Sequence, residues 1–133
     1  MNLNLGDHML TQQQIDNICE DLGGPLSYLW GYIENAYATP PQKPDPASFE
    51  ERKKDFLFLI GKLLDEGRLK LAKNGEFIPG STEELVEMFR KSFPASDEEM
   101  ELGAWFFADE CPAGAVWVFK GERENGEDYY EWT

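Results

Sequence analysis

Apolar residues recur at the three- and four-residue spacing of amphipathic helices in four stretches of the chain. In the third stretch, Phe56, Leu59 and Leu63 lie on one broad apolar face, and Gly67 follows where the helix would end. A fifth stretch is short and strongly acidic. Together these patterns predict five helices, at residues 12–20, 25–37, 49–66, 82–93 and 97–103.

A second local pattern marks the expected helix starts. In a capping box, a serine or threonine hydroxyl accepts a hydrogen bond from a free backbone amide, and a Glu or Gln three residues later reaches back. The pattern occurs four times, each time followed by apolar residues, and predicts four helix N-termini. The pairs are Thr11 with Gln14, Ser48 with Glu51, Ser81 with Glu84, and Ser96 with Glu99.

Two hairpins are predicted between and after the helices. Leucines alternate with charged residues from residue 69, and Asn74-Gly75 is a favoured two-residue turn leading into a return strand that starts at Phe77-Ile78. Residues 115–119 are rich in β-branched and aromatic side chains, and Asn125-Gly126 separates them from a strand at 129–132. The predicted fold class is therefore α+β, mainly helical, with a small antiparallel sheet formed by two hairpins.

The length of 133 residues suggests a single domain spanning residues 1–133. Residues 1–8 differ in character from the rest of the chain and are expected to form a disordered leader. Residues 38–47 contain four prolines and are expected to form an extended, exposed loop, because proline suits neither a helix interior nor a central strand.

Acidic residues outnumber basic ones, 26 against 12, and the formal net charge is −14. The second half is the more acidic, with nine acidic and two basic residues in 81–110 and five and two in 111–133. Direct binding of nucleic acid is not expected, because it needs clustered Lys and Arg. The same argument disfavours interpreting residues 63–78 as part of a winged-helix domain. A basic protein surface is the expected partner.

Catalytic chemistry is not expected. Cys111 lies between Asp109-Glu110 and Pro112, and the two adjacent acids are expected to raise the pKa of its thiol. No activating base is near it in the sequence, and the one histidine is His8. Cys111 is interpreted as a small hydrophobic residue at a turn. Clustered Cys and His for zinc, spaced carboxylates for calcium and glycine-rich phosphate loops are all missing, so no metal or cofactor is expected.

The last residues combine aromatic and acidic side chains, as protein interfaces often do. Strand alternation places Tyr130 with Trp132 on one face and Tyr129 with Glu131 on the other. The aromatics could equally complete the core, and acids at the start of the fifth helix could serve the helix dipole. The candidate partner-binding residues are Asp97, Glu98, Glu99, Glu101, Glu122, Glu124, Asp128 and Tyr130.

Several segments between Phe49 and Val118 carry a family resemblance: F-E-E-R-K-K, L-K-L-A-K-N-G, E-x-F-R-K-S-F-P and, most distinctively, E-C-P-A-G-x-V-W-V. As a set they resemble a family of small acidic bacterial proteins catalogued as a domain of unknown function. Some proteins similar to this family look like immunity partners of contact-dependent growth-inhibition toxins. The resemblance implies no catalytic residue.

The expected function is that of a non-catalytic immunity protein that neutralises a basic toxin domain, such as a nuclease, by occlusion. A homo-oligomeric interaction domain, such as a homodimer, is the alternative, and a carboxylate-dependent hydrolase is a weaker one. The cytoplasm is the expected location, because no apolar run follows a basic start. No membrane partner is expected, since no stretch approaches about 18 apolar residues.

Overall fold

The computed structural model describes residues 9–38 and 44–133, so the predicted leader and residues 39–43 of the proline-rich loop lie outside it. The described part has five α-helices and four strands, which confirms the α+β prediction. The helices are α1 Gln12–Glu20, α2 Leu26–Tyr37, α3 Phe49–Asp65, α4 Thr82–Ser92 and α5 Asp97–Met100. The strands are β1 Leu69–Lys73, β2 Glu76–Phe77, β3 Gly114–Phe119 and β4 Tyr129–Trp132.

Capping chemistry explains where most helices begin. Thr11 and Ser81 form complete capping boxes with Gln14 and Glu84, as predicted. The hydrogen bond from the Ser81 amide holds the pKa of the Glu84 carboxyl below its ordinary value. Ser96 accepts from the backbone amide of Glu99 at 3.3 Å without the reciprocal bond.

The predicted cap at Ser48 is wrong. A 3₁₀ turn, Pro46–Ser48, leads directly into α3, so Ser48 lacks the extended backbone that a cap requires. Its hydroxyl instead accepts a hydrogen bond from Arg52 Nε at 2.8 Å. The predicted extended loop, residues 38–47, is therefore wrong at its end, where residues 46 and 47 belong to the 3₁₀ turn.

The fifth helix is shorter than predicted. It ends at Met100 because Glu101 and Leu102 adopt left-handed backbone angles, with φ of 53° and 57°. A 3₁₀ segment, Glu101–Phe107, interrupted by non-helical backbone angles at Leu102 and Gly103, continues the chain instead of the α-helical turn expected up to Gly103. A left-handed residue cannot continue a right-handed helix.

One antiparallel sheet contains both predicted hairpins, with strand order β2-β1-β3-β4. The turn Asn74-Gly75 has positive φ at both positions, the type I′ geometry that fits strand twist. Asn125-Gly126 does not form the corresponding two-residue turn. It lies in a longer connection, residues 120–128, in which the Arg123 amide donates to the Glu127 carbonyl at 3.0 Å and the Gly126 amide donates to the Arg123 carbonyl at 2.8 Å.

The core lies between the helices and the inner face of the sheet. Its centre is a set of aromatic rings in mutual contact, to which the sheet adds Leu69, Leu71 and Trp117. These rings are Trp30, Phe49, Phe56, Phe89, Phe93, Trp105 and Phe106. Both Trp105 and Trp117 are therefore core residues.

A buried carboxylate fixes the first described residues against α3. Asp55 is fully buried and accepts hydrogen bonds from the Met9 amide at 2.7 Å, the Leu10 amide at 3.3 Å and the Tyr37 hydroxyl. Burial, together with this bond to Asp55, raises the pKa of Tyr37 far above its ordinary value, so the hydroxyl stays a donor. Nothing among the helices of residues 9–38 and 44–133 has the length and apolar character needed to cross a bilayer.

Candidate protein-binding surface

Three aromatic side chains lie together on the face of the sheet that points away from the core. Phe77, Tyr130 and Trp132 are 44, 40 and 48% exposed. The rings of Phe77 and Trp132 are stacked with centroids 5.0 Å apart, and Tyr130 meets Phe77 edge-on at 6.2 Å. Lys70 Nζ lies 5.4 Å from the Phe77 centroid. We call Phe77, Tyr130 and Trp132 the outer aromatic cluster.

The register of the sheet assembles this cluster. Ala72 is paired with Phe77, Val116 with Trp132, and Val118 with Tyr130. Directly paired side chains point to the same face, so each aromatic lies beside a small apolar residue.

Ala72, Val116 and Val118 are buried, but they do not belong to the main core. The aromatics therefore cover a second, small apolar layer while keeping nearly half of their own surface exposed. This confirms that Tyr130 and Trp132 share a face, and it disfavours the alternative that the tail aromatics complete the core.

An acidic loop borders the cluster. A groove of about 640 Å³ is lined by Arg123, Glu127, Asp128, Tyr129, Tyr130 and Trp132. Asp128 accepts a hydrogen bond from the Gly121 amide at 3.0 Å and so shapes the loop. Glu122 and Glu124 are exposed on the same loop. Four candidate residues, Glu122, Glu124, Asp128 and Tyr130, thus belong to one region of the surface.

The other four candidates lie in or just after α5, and one of them is already engaged. The Asp97 carboxylate forms two parallel hydrogen bonds of 2.7 Å with the guanidinium of Arg52. Arg52 is fully buried and stacks against Trp30 and Phe49, each centroid 5.5 Å from its Cζ. This pair ties α5 to α3.

Glu98, Glu99 and Glu101 have exposed side chains. The Glu99 carboxylate lies 3.4 Å from the Ala95 amide and closes the turn before α5. All three side chains lie at the surface, and a contact between them and a partner stays a prediction from the sequence.

The two acidic groups lie towards opposite ends of α3. Asp97 binds Arg52 in the first turns of α3, whereas Lys120 lies against Gly67 just beyond its last turn. A Cβ on Gly67 would stand 2.8 Å from Lys120 Nζ. The 17 residues of α3 span about 25 Å at 1.5 Å per residue. The candidate residues therefore form two groups rather than one continuous acidic patch.

The turn after α5 exposes an apolar side chain. Leu102 is 91% exposed and lies between Glu101 and Gly103, all three with positive φ. A non-glycine residue in this conformation costs about 1–2 kcal/mol.

Replacing Leu102 by glycine is expected to stabilise the protein by about 0.5–1 kcal/mol. Relief of the left-handed strain outweighs the added entropy of the unfolded chain, and little packing is lost. Urea denaturation measures the change. Leu102→Ala is the control and should change stability little, since alanine keeps the penalty. A destabilised glycine variant would show that the Leu102 side chain packs against its neighbours.

The thiols in the described part of the chain are poor nucleophiles. Cys111 is buried at the predicted turn, and burial raises the pKa of its thiol despite the opposing effect of nearby Lys73. The expectation attributed this effect to the acids at 109 and 110; the main cause is desolvation. Burial raises the pKa of Cys19 as well. Residues 9–38 and 44–133 hold no group of three His, Cys, Asp or Glu side chains suited to a metal ion.

Sequence reasoning missed Phe77, Lys70 and Trp132 as surface contact candidates. Phe77 was assigned only to the return strand of the first hairpin. Its contact with Trp132 depends on β1 pairing with β3, which joins segments more than 40 residues apart. No local pattern shows that pairing. The Asn-Gly turn before Phe77 was the available signal, because it fixes which face the residue shares with Ala72.

Comparison with known proteins adds a family and a structural neighbour. No curated protein matches the chain. Among solved structures it is similar to an uncharacterized protein conserved in bacteria, from Neisseria meningitidis, with a TM-score of 0.64. The two are 29% identical over 89% of this chain and 87% of that one.

Residues 64–133 match a family described as "Protein of unknown function, DUF596". The matched segment covers more than half of the chain and contains the E-C-P-A-G-x-V-W-V motif, in agreement with the resemblance to a small bacterial family of unknown function. It also contains β1 to β4 and thus the whole outer aromatic cluster. The chain belongs to the DUF596 family, whose function is unknown.

Proposed function

We propose that this protein is a non-catalytic binding domain that holds a basic protein partner on the outer aromatic cluster and its acidic border. The observation that carries the proposal is the exposure of three contacting aromatic side chains beside the loop bearing Glu122 and Glu124. The more specific form of this proposal is that the protein is a cytoplasmic immunity protein that occludes a basic toxin domain.

The chemistry of the surface supports a protein as the ligand. Tyrosine and tryptophan dominate the energetic centres of protein interfaces, because they bury a large area at a small cost in conformational entropy. Because Phe77 and Trp132 are already stacked, binding costs these side chains little further conformational entropy.

The charge of the chain supports a basic partner. With a formal charge of −14, the protein attracts a cationic surface over several ångströms, and the acidic loop lies next to the proposed anchors. Such steering raises association rates to about 10⁸–10⁹ M⁻¹s⁻¹ at low salt. A toxin that binds nucleic-acid phosphate through Lys and Arg would present these same side chains to the acidic loop. When the loop binds them, the toxin can no longer bind its nucleic-acid substrate.

The test uses the product of a neighbouring gene that encodes a basic toxin-like domain. Trp132→Ala is expected to weaken binding about 30-fold or more, because truncating a central aromatic anchor costs about 2–4 kcal/mol. Isothermal titration calorimetry measures the affinity, and survival of cells that co-express both proteins measures protection.

Phe107→Ala is the matched control, since Phe107 is an exposed aromatic on the 3₁₀ segment after α5. It should bind like the unchanged protein. A second pair of variants separates the acidic groups: Glu122→Lys with Glu124→Lys should slow association more than Glu98→Lys with Glu99→Lys, which changes the net charge by the same amount. Full binding by Trp132→Ala would refute the proposal, and a neighbour that neither binds nor harms cells would refute its immunity form.

Self-association is the second candidate function, and the exposed edge of the sheet at β4 favours it. The salt dependence of association distinguishes self-association from binding of a basic partner. Two copies of a chain of charge −14 repel each other, so screening should strengthen a homodimer, whereas it should weaken the complex with a basic partner. Sedimentation velocity of the protein alone at low and high salt makes the comparison.

A further inference from the structure

Strand β4 is an edge of the sheet, and its hydrogen-bonding register shows which backbone groups face outwards. The Thr133 amide donates to the Ala115 carbonyl at 3.2 Å. In an antiparallel pair, alternate residues direct their N–H and C=O groups to the partner strand. Tyr129 and Glu131 therefore bond to β3, while Tyr130 and Trp132 direct their backbone groups away from it.

The outward backbone groups thus belong to two members of the outer aromatic cluster. An extended chain laid along β4 would form hydrogen bonds with Tyr130 and Trp132 and place every second side chain over the same aromatics. Many natural edge strands are protected against such pairing by lysine or proline, and β4 contains neither.

We propose that the β4 edge binds an extended, Arg- or Lys-bearing segment of the partner, which adds to the sheet as a fifth strand. This inference rests on the proposed function and specifies how the partner is held. The side chains on the outer face of the added strand lie against Tyr130 and Trp132, where guanidinium or ammonium groups can stack on the rings. Lys70 already makes this contact with Phe77 within the chain.

Charge selects a basic segment over a second copy of this chain. Residues 120–131 carry five acidic and two basic side chains. Pairing β4 with the β4 of another copy would bring two such acidic segments together, which is unfavourable. A cationic strand meets the same segment with opposite charge.

The Glu131 carboxylate is already occupied. It accepts a hydrogen bond from the Gly24 amide at 3.0 Å on the inner side of β4. This contact holds the strand to the loop before α2, so the edge is presented in a fixed position.

The experiment compares Tyr130→Pro with Tyr130→Ala. Both lose the ring, but only proline also removes the outward N–H, and proline is tolerated where an edge strand faces solvent. The probes are a ten-residue peptide of alternating arginine and valine and its glutamate–valine counterpart. The arginine peptide should bind the unchanged protein and the glutamate peptide should not.

Tyr130→Pro should bind the arginine peptide about fivefold more weakly than Tyr130→Ala, the loss expected for one backbone hydrogen bond. Equal affinities of the two variants would overturn strand addition. If both variants bind the arginine peptide more weakly than the unchanged protein by the same factor, the aromatic surface of the proposed function still stands. If neither variant binds it more weakly, both proposals fail.

A second measurement does not depend on how the proline variant folds. Amide hydrogen exchange of the unchanged protein should slow at Tyr130 and Trp132 when the arginine peptide is added, and should stay unchanged at Tyr28, an exposed aromatic on α2. Unchanged exchange at Tyr130 and Trp132 would overturn the inference. If the protein alone forms a dimer and Tyr130→Pro dissociates that dimer, the β4 edge binds a second copy of the chain instead.

Discussion

Replacing Asp97 by alanine is expected to destabilise the protein by about 3–5 kcal/mol, as when one partner of a buried ion pair is removed. The change leaves the Arg52 guanidinium fully buried without its bidentate acceptor, and the nearest remaining carboxylate is Glu34 at 4.0 Å. Urea denaturation followed by circular dichroism measures the loss. It would be a large part of the roughly 5–15 kcal/mol that stabilises an ordinary domain.

The control is the opposite truncation, Arg52→Met, which should cost clearly less. The Asp97 side chain is 36% exposed and can be hydrated, and a methionine fills the space between Trp30 and Phe49. This pair of variants also tests the role of Asp97 in the candidate site. An Asp97→Ala protein that keeps its stability but loses its partner would show that the carboxylate serves binding rather than the fold.

Replacing Phe93 by alanine is expected to cost about 3–5 kcal/mol, the range for deleting a buried aromatic ring. Phe93 lies just after α4 and is buried where the helices meet, so its loss leaves a cavity that several rings border. Thermal and urea denaturation measure the effect. The rings in contact with it are Trp30, Phe49, Phe56, Trp105 and Phe106.

Phe107→Ala makes the same chemical change at a side chain that is 70% exposed and should alter stability by about 0.5 kcal/mol or less. A similar cost at both positions would contradict the assignment of Phe93 to the core. A small cost at Phe93 alone would show that the helices close over the cavity.

Local chemistry determined the parts of the fold that could be predicted. The periodic apolar face of α3, the caps at Thr11 and Ser81 and the turn at Asn74-Gly75 each depend on residues within one or two turns of chain. The sequence carries these signals directly. Tyr130 and Trp132 were placed on one face for the same reason, since strand alternation is local.

The missed features depend on distant or unfavourable contacts. The role of Asp97 is set by Arg52, 45 residues away, and the cluster around Phe77 requires β1 to pair with β3. The end of α5 depends on left-handed angles at Glu101 and Leu102, which neither residue type favours. A local pattern cannot reveal a conformation that local preferences oppose.

The separation of the acidic groups changes the account of binding. Asp97 serves the fold, and the exposed acids after it lie towards the other end of α3 from the acidic loop at 120–128. The aromatic anchors accompany only the second group. The proposed interface is therefore the sheet with its adjoining loop, and α5 is expected to stay outside it.

The most direct test of the proposed interface is hydrogen–deuterium exchange of the protein with and without a bound basic partner, using the arginine–valine peptide or, where a neighbouring gene encodes one, a basic toxin-like domain. Binding at the outer aromatic cluster predicts slower exchange in β2, β4 and residues 120–128, with α5 unchanged. Protection confined to α5 and the segment 101–107, with the sheet unaffected, would contradict it.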